Sequence, residues 1–248
     1  RAAADEYTQK TPDRPRYVAG SIGPTNKTAS LSPDVENPGL RNISFDELRE
    51  AYAEQIEGLV DGGVDLILIE TIFDALNARA AIIAADDVLM AKGKDLPVLI
   101  SGTITDKSGR ILTGQTLLAF AESMKHERVI SIGLNCAFGP KDLIPFIREL
   151  SETQDVYVSF HPNAGLPNSL GEYDESPEEM ALYVRELAVE GCLNIVGGCC
   201  GTTPVHIRAI AQAVNNVPPR QIPSLDVTSI YCGLEVVKVN QQNNFVNI

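Results

Sequence analysis

The hydrophobic positions of this chain fall into one repeating order. Short runs rich in β-branched residues, without the polar alternation of a half-exposed strand, are each followed by a segment with helical spacing. That alternation is the pattern of parallel strands covered on both faces. Six runs qualify: Tyr17–Gly23, Leu66–Thr71, Val98–Ile104, Val129–Cys136, Val156–Asn163 and Asn194–Cys199. The helices between them carry start signals. Ser44 and Glu47 form a capping box, and Gly62-Gly63 closes that helix. Asp74 caps the next, which runs to Gly93. Pro140, Pro177 (behind Ser176, with Glu179 completing a second box) and Pro204 (behind Thr203) sit at first-turn positions. The segment Gln115–Lys125 supplies the remaining helix, with weaker caps.

Two stretches leave the repeat. Pro24–Asn42 is polar and rich in Pro and Asn, a loop between the first strand and its helix. From Val217, VPPRQIP reads as a linker, Ser229–Val239 alternates like an exposed strand or hairpin, and Phe245–Ile248 resembles the start of a further strand. An open doubly wound sheet places a Gly-rich phosphate loop after an early strand. Here Gly20–Asn26 lacks that spacing and leads into a loop. The pattern therefore predicts an α/β chain of the (β/α)8 TIM-barrel type, supplying six of the eight units. The chain opens on Arg1 rather than Met, and the first two βα units are expected upstream of it. The expected division is an N-terminally incomplete barrel over residues 1–216, then a linker and the start of another domain over 217–248.

Charge narrows the partners. The 33 acidic and 20 basic residues leave a net charge of −13, which disfavours nucleic acid and anionic membranes. No apolar run approaches the roughly 18 residues that span a bilayer. Five cysteines are too few and too irregular for a secreted disulfide scaffold, so a reducing, cytoplasmic setting is expected. Cys192 and Cys232 lie in apolar contexts and are expected to be buried small hydrophobes.

The other three cysteines carry the chemistry. Cys136 closes one strand and Cys199-Cys200 close another, and the C-terminal strand ends form the functional face in α/β folds. Adjacent residues of a strand point to opposite sides, so Cys199 and Cys200 can serve one centre only where the chain bends. Gly197, Gly198 and Gly201 provide that bend. Three thiolates with an open fourth position describe a catalytic zinc site, and sulfur ligands favour Zn²⁺ over Mg²⁺ or Ca²⁺. Spacing alone leaves a second reading, a tight turn with buried or oxidised cysteines. His161 also ends a strand, but nothing nearby marks a nucleophile elbow.

Those residues sit in longer matches. GLNCAFGP (Gly133–Pro140), SFHPNAGLP (Ser159–Pro167), IVGGCCGTTPVHI (Ile195–Ile207), LILIETIFD (Leu66–Asp74), SGTITDKSGRILTGQ (Ser101–Gln115) and VAGSIGPTNK (Val18–Lys27) resemble the homocysteine S-methyltransferase family. The version closest to them is the homocysteine-binding barrel of cobalamin-dependent methionine synthases. The resemblance implies a (β/α)8 barrel with Zn²⁺ on Cys136, Cys199 and Cys200, and no protein nucleophile. It implies that the homocysteine thiol is activated on zinc and methylated to methionine. The methyl would come from methylcobalamin recharged by 5-methyltetrahydrofolate, both carried on other domains of the same polypeptide, so that these residues alone would be inactive. The family pattern gives Glu70 the substrate ammonium, against a capping or loop-pairing role. Asn135 and Asn163 join it as expected substrate-binding residues, Asn135 to orient the site or satisfy backbone, and Asn163 to lend its amide oxygen to zinc when substrate is absent. The alternatives are a cobalamin-independent enzyme using S-methylmethionine or betaine, and a non-catalytic zinc domain. Thr105–Arg110 (TDKSGR) is a turn by composition, either at the site mouth or simply solvated.

Overall fold

A computed structural model of the chain describes residues 1–225 and 228–239. The expected strand at Phe245–Ile248 lies outside the described residues. The element order is α1 (Ala2–Lys10), β1 (Ala19–Ile22), α2 (Phe45–Asp61), β2 (Leu66–Ile72), α3 (Ala75–Ala91), β3 (Val98–Gly102), α4 (Leu117–Ser123), β4 (Val129–Asn135), α5 (Pro140–Thr153), β5 (Tyr157–His161), α6 (Pro177–Val189), β6 (Ile195–Val196), α7 (Pro204–Ala213), β7 (Ser229–Cys232) and β8 (Val236–Val239). Strands β1 to β6 form one sheet in sequence order, and β1–β2, β4–β5 and β5–β6 pair in parallel. Each of the six repeat runs predicted as strands holds one of β1 to β6. Sequential parallel strands joined by helices are consecutive units of a TIM-type barrel. Among the described residues no helix is long and apolar enough to cross a membrane.

The chain divides into two compact units, one of Arg1–Ile100 with His126–Ile130, the other of Ser101–Lys125 with the described residues from Ser131 onward. In the first unit, α2 is set by the Ser44/Glu47 box, and its buried residues Leu48, Tyr52, Ile56 and Val60 recur every four positions. This apolar stripe packs against α3, which is Ala-rich and buried around much of its surface. Two buried polar residues of the α3 start hold the Pro24–Asn42 loop. Asn77 accepts from the Ala29 N–H at 3.0 Å and donates to the Lys27 carbonyl at 2.7 Å, while Asp74 accepts from the Ser30 N–H at 2.9 Å. Helix α1 escaped the pattern for a physical reason: none of its residues is buried, so it has no apolar stripe to read.

In the second unit, α5 buries Leu143, Ile147 and Leu150 and lies against β5, and α6, which buries Met180, Val184 and Leu187, packs between α5 and α7. Strand β6 has two residues, but bonding to the β5 side continues past it, from the Gly197 N–H to the Phe160 carbonyl at 3.0 Å and from the Cys199 N–H to the Pro162 carbonyl at 2.8 Å. The segment after α7 departs from a free linker. Arg220 is 4% exposed and sits among backbone carbonyls in the last turn of α5 and just after it, donating to Ser151 at 2.9 Å, Val156 at 2.8 Å and also Gln154. Asn194 Nδ2 holds the Arg220 carbonyl at 2.9 Å. The predicted hairpin is present as β7–β8, antiparallel, with Tyr231 opposite Val237. Cys192 is buried as expected; Cys232 is exposed, a correction. It lies on a two-stranded sheet that leaves both of its strands largely exposed, so its apolar neighbours do not enclose it.

Arg220→Ala leaves three carbonyls without their donor and removes a buried side chain. It is expected to lower stability by about 2–4 kcal/mol, measured by urea denaturation. A loss under about 0.5 kcal/mol, the usual range for surface changes, would mean that Arg220 does not fasten this segment.

Candidate metal centre

Cys136 follows the last residue of β4 in a left-handed conformation, φ 60°, and Ala137 repeats it at 61°. Side chains with Cβ rarely adopt that region, which costs roughly 1–2 kcal/mol per residue. Backbone bonds hold it: the Cys136 N–H donates to the His161 carbonyl at 3.2 Å, and the Phe138 N–H returns to the Cys136 carbonyl at 2.8 Å. The effect is to swing the Cys136 thiol off the strand line.

Beyond β6 the chain bends at the two vicinal cysteines. The Cys199 N–H donates to the Pro162 carbonyl at 2.8 Å, and the Cys199 carbonyl accepts from the Thr202 N–H at 3.2 Å, closing a turn. The Cys200 N–H donates to Asn163 Oδ1 at 3.1 Å, and the Cys200 carbonyl accepts from the Ala164 N–H at 2.9 Å. Gly201 completes the turn at φ 78°, with the Tyr173 ring where a Cβ would lie, 2.3 Å from Cγ. No side chain fits there. Cys199 and Cys200 therefore break strand alternation and face the same centre.

The sulfurs converge. Cys136 Sγ lies 3.1 Å from Cys199 Sγ and 3.4 Å from Cys200 Sγ, and the three lie within 4.8 Å of one another. Cys136 and Cys199 are half-buried and Cys200 is exposed. Burial, and then hydrogen bonding to the other two thiols, pushes the Cys136 thiol up to about 12. Three sulfurs this close cannot all ionise without a cation among them. The donor set fits zinc: tetrahedral thiolates at about 2.3 Å from the metal stand about 3.8 Å apart, and small side-chain rotations open this cluster to that size.

The surrounding groups are polar. Asn135, 1% exposed, donates from Nδ2 to Cys199 Sγ at 3.7 Å, and its carbonyl accepts from Thr103 Oγ1 at 3.0 Å. Asn163 is buried, and its amide oxygen is engaged by the Cys200 backbone. Burial, and then the nearby Cys200 thiol, hold the ionisation of the Tyr173 phenol above the ordinary value. His206 accepts from the Thr203 N–H on Nδ1 at 3.2 Å, which puts the ring proton on Nε2, donating to the Glu175 carbonyl at 3.0 Å. His206 is thus a helix cap for α7 that also ties down the loop carrying Tyr173. The His161 ring lies over Gly197. In the first unit, Glu70 on β2 accepts from the Ser21 hydroxyl on β1.

Cys136, Cys199, Cys200, Asn135 and Asn163 all come together as one cluster within the second unit, while Glu70 belongs to the first. Thr103, Tyr173 and His206 were missed by sequence reasoning. Only His206 left a signal, standing three residues after a Thr-Pro helix start as Glu does in a capping box.

A parallel α/β chain of the barrel type here gathers three thiols at its strand ends, a group that could hold a metal ion. Residues 1–214 match the sequence model of the family described as homocysteine S-methyltransferase, and the chain belongs to that family. Its fold is similar to the homocysteine methyltransferase MmuM from Escherichia coli. The apo form superposes with a TM-score of 0.61 at 22% identity, covering 86% of this chain and 68% of that one. The metallated form gives 0.61 at 24% identity, covering 85% and 66%. The chain thus spans about two thirds of the length of these structures.

Replacing Cys136, Cys199 or Cys200 with Ala is expected to abolish tight zinc binding, whereas Cys192→Ala keeps it. Metal analysis after gel filtration checks this. One zinc per chain in all four variants would contradict the assignment.

Proposed function

We propose that the chain is the homocysteine-binding module of a methionine-forming methyltransferase. The convergence of the Cys136, Cys199 and Cys200 sulfurs within 4.8 Å carries the reading. Zinc, when bound to three thiolates, supplies a Lewis-acidic fourth position that takes up the homocysteine sulfur and lowers its pKa.

The chain's own groups do the rest. The three cysteines would hold the ion at the ends of strands. Asn135 donates to the Cys199 sulfur and draws charge from it, and the Tyr173 ring packs beside Gly201, next to Cys200. Asn163 fixes the Cys199-Cys200 turn through the Cys200 N–H, and its amide oxygen would also serve zinc when substrate is absent. Glu70, oriented by the Ser21 hydroxyl, offers a carboxylate to the substrate ammonium. In the transfer, the homocysteine thiol loses its proton and its sulfur lone pair forms the new S–CH3 bond. The methyl's bond to its carrier breaks and leaves its electron pair with the carrier.

The sequence matches favour methylcobalamin as the donor, recharged by 5-methyltetrahydrofolate, with both carriers on other domains of one polypeptide whose linker begins near Val217. The expected result in the intact protein is methyl transfer to homocysteine from methylcobalamin and none from S-methylmethionine or betaine. A preference for either of those donors would assign the chain to the cobalamin-independent enzymes. Loss of zinc with transfer unchanged would overturn the reading.

A further inference from the structure

The region shared with the family ends at residue 214, yet the chain beyond it returns to the metal end of the second unit. The β7–β8 hairpin places its tip, Gly233–Glu235, on the loop between β3 and α4. Three different bonds join them. The Thr116 N–H donates to the Leu234 carbonyl at 2.9 Å, and Gln115 Nε2 donates to the Gly233 carbonyl at 2.9 Å. Arg110 and Glu235 form an ion pair. Thr116 is the N-cap of α4, so the hairpin also fixes the start of that helix.

Arg110 is the hinge of the arrangement. Its guanidinium donates to the Gly114 carbonyl at 2.7 Å as well as to Glu235, closing the loop on itself while attaching it to the hairpin. Its own carbonyl accepts from the Thr105 N–H at 3.0 Å and the Thr105 hydroxyl at 3.2 Å. Two residues earlier, Thr103 donates to the carbonyl of Asn135, the residue before Cys136. A continuous set of bonds therefore runs from the hairpin tip through Arg110 and the Thr103–Thr105 backbone to the end of β4. The far side of the loop rests on α5, with the Phe146 ring against Gly109, which has φ 80° and no space for a Cβ.

We propose that the β7–β8 hairpin is a positioning clamp for the β3–α4 loop, with Arg110 and Glu235 its positioning residues, and that the clamp steadies the strand end carrying Cys136. Its effect on metal retention rests on the zinc reading above; its effect on the backbone does not. Nine residues before β7, Arg220 fastens the chain to the carbonyls of Ser151, Val156 and Gln154.

The test is hydrogen–deuterium exchange read by mass spectrometry on the intact protein, with a charge swap. Glu235→Arg puts two like charges together at an exposed pair, and both side chains tolerate the change without core disruption. Exchange over residues 103–116 is expected to rise about two- to fivefold, the range of one surface ion pair, with a smaller rise over 135–138. Zinc transfer to a chromogenic chelator should speed up in parallel. Arg110→Glu combined with Glu235→Arg restores the pair in reverse and should return all three readings toward wild type. Unchanged exchange over 103–116 overturns the clamp; so does a rise there without one at 135–138, or a double variant no better than the single. A protein that holds no zinc but shows the full exchange pattern supports the clamp and refutes the metal reading alone.

Discussion

Everything in the second unit is arranged around the closeness of three sulfurs. Burial, and then hydrogen bonding to two sulfurs at 3.1 and 3.4 Å, keep the Cys136 thiol protonated. A soft divalent cation would reverse that balance by stabilising the thiolates directly. The affinity of such a site depends on how rigidly the backbone maintains the convergence, because each ligand that must be ordered on binding costs conformational entropy.

That rigidity is built from backbone bonds more than from side chains. Two consecutive left-handed residues, Cys136 and Ala137, are tolerated because the Cys136 N–H reaches β5 and the Phe138 N–H closes back on Cys136. The Cys199–Thr202 turn is pinned on its β5 side by Pro162, Asn163 and Ala164. His206 then links α7 to the loop bearing Tyr173, whose ring occupies the space beside Gly201. One tightly bonded set of loops thus joins β4, β5 and β6 at the end where substrate would meet metal.

Much of this was legible in the sequence because it rests on local rules. Uninterrupted β-branched runs marked β1 to β6, and Ser44, Asp74, Ser176 and Pro140 marked the helix starts through groups they satisfy within a few residues. The three cysteines were readable from their strand-end positions and flanking glycines. What stayed hidden depends on distant partners. Arg220 sits in a stretch that reads as linker, and its carbonyl partners lie more than sixty residues away. Tyr173 meets Cys200 across a loop with no periodicity, and Cys232 stands exposed because the hairpin around it has no second layer. Helix α1 left no trace, since it buries nothing.

The central claim is that the three cysteines leave a fourth zinc position for a substrate sulfur. X-ray absorption at the zinc edge, on the intact zinc-loaded protein with and without homocysteine, tests it directly. The account predicts three sulfur neighbours and one oxygen or nitrogen without substrate, changing to four sulfurs when homocysteine is added. A coordination shell that is the same in both samples would contradict it.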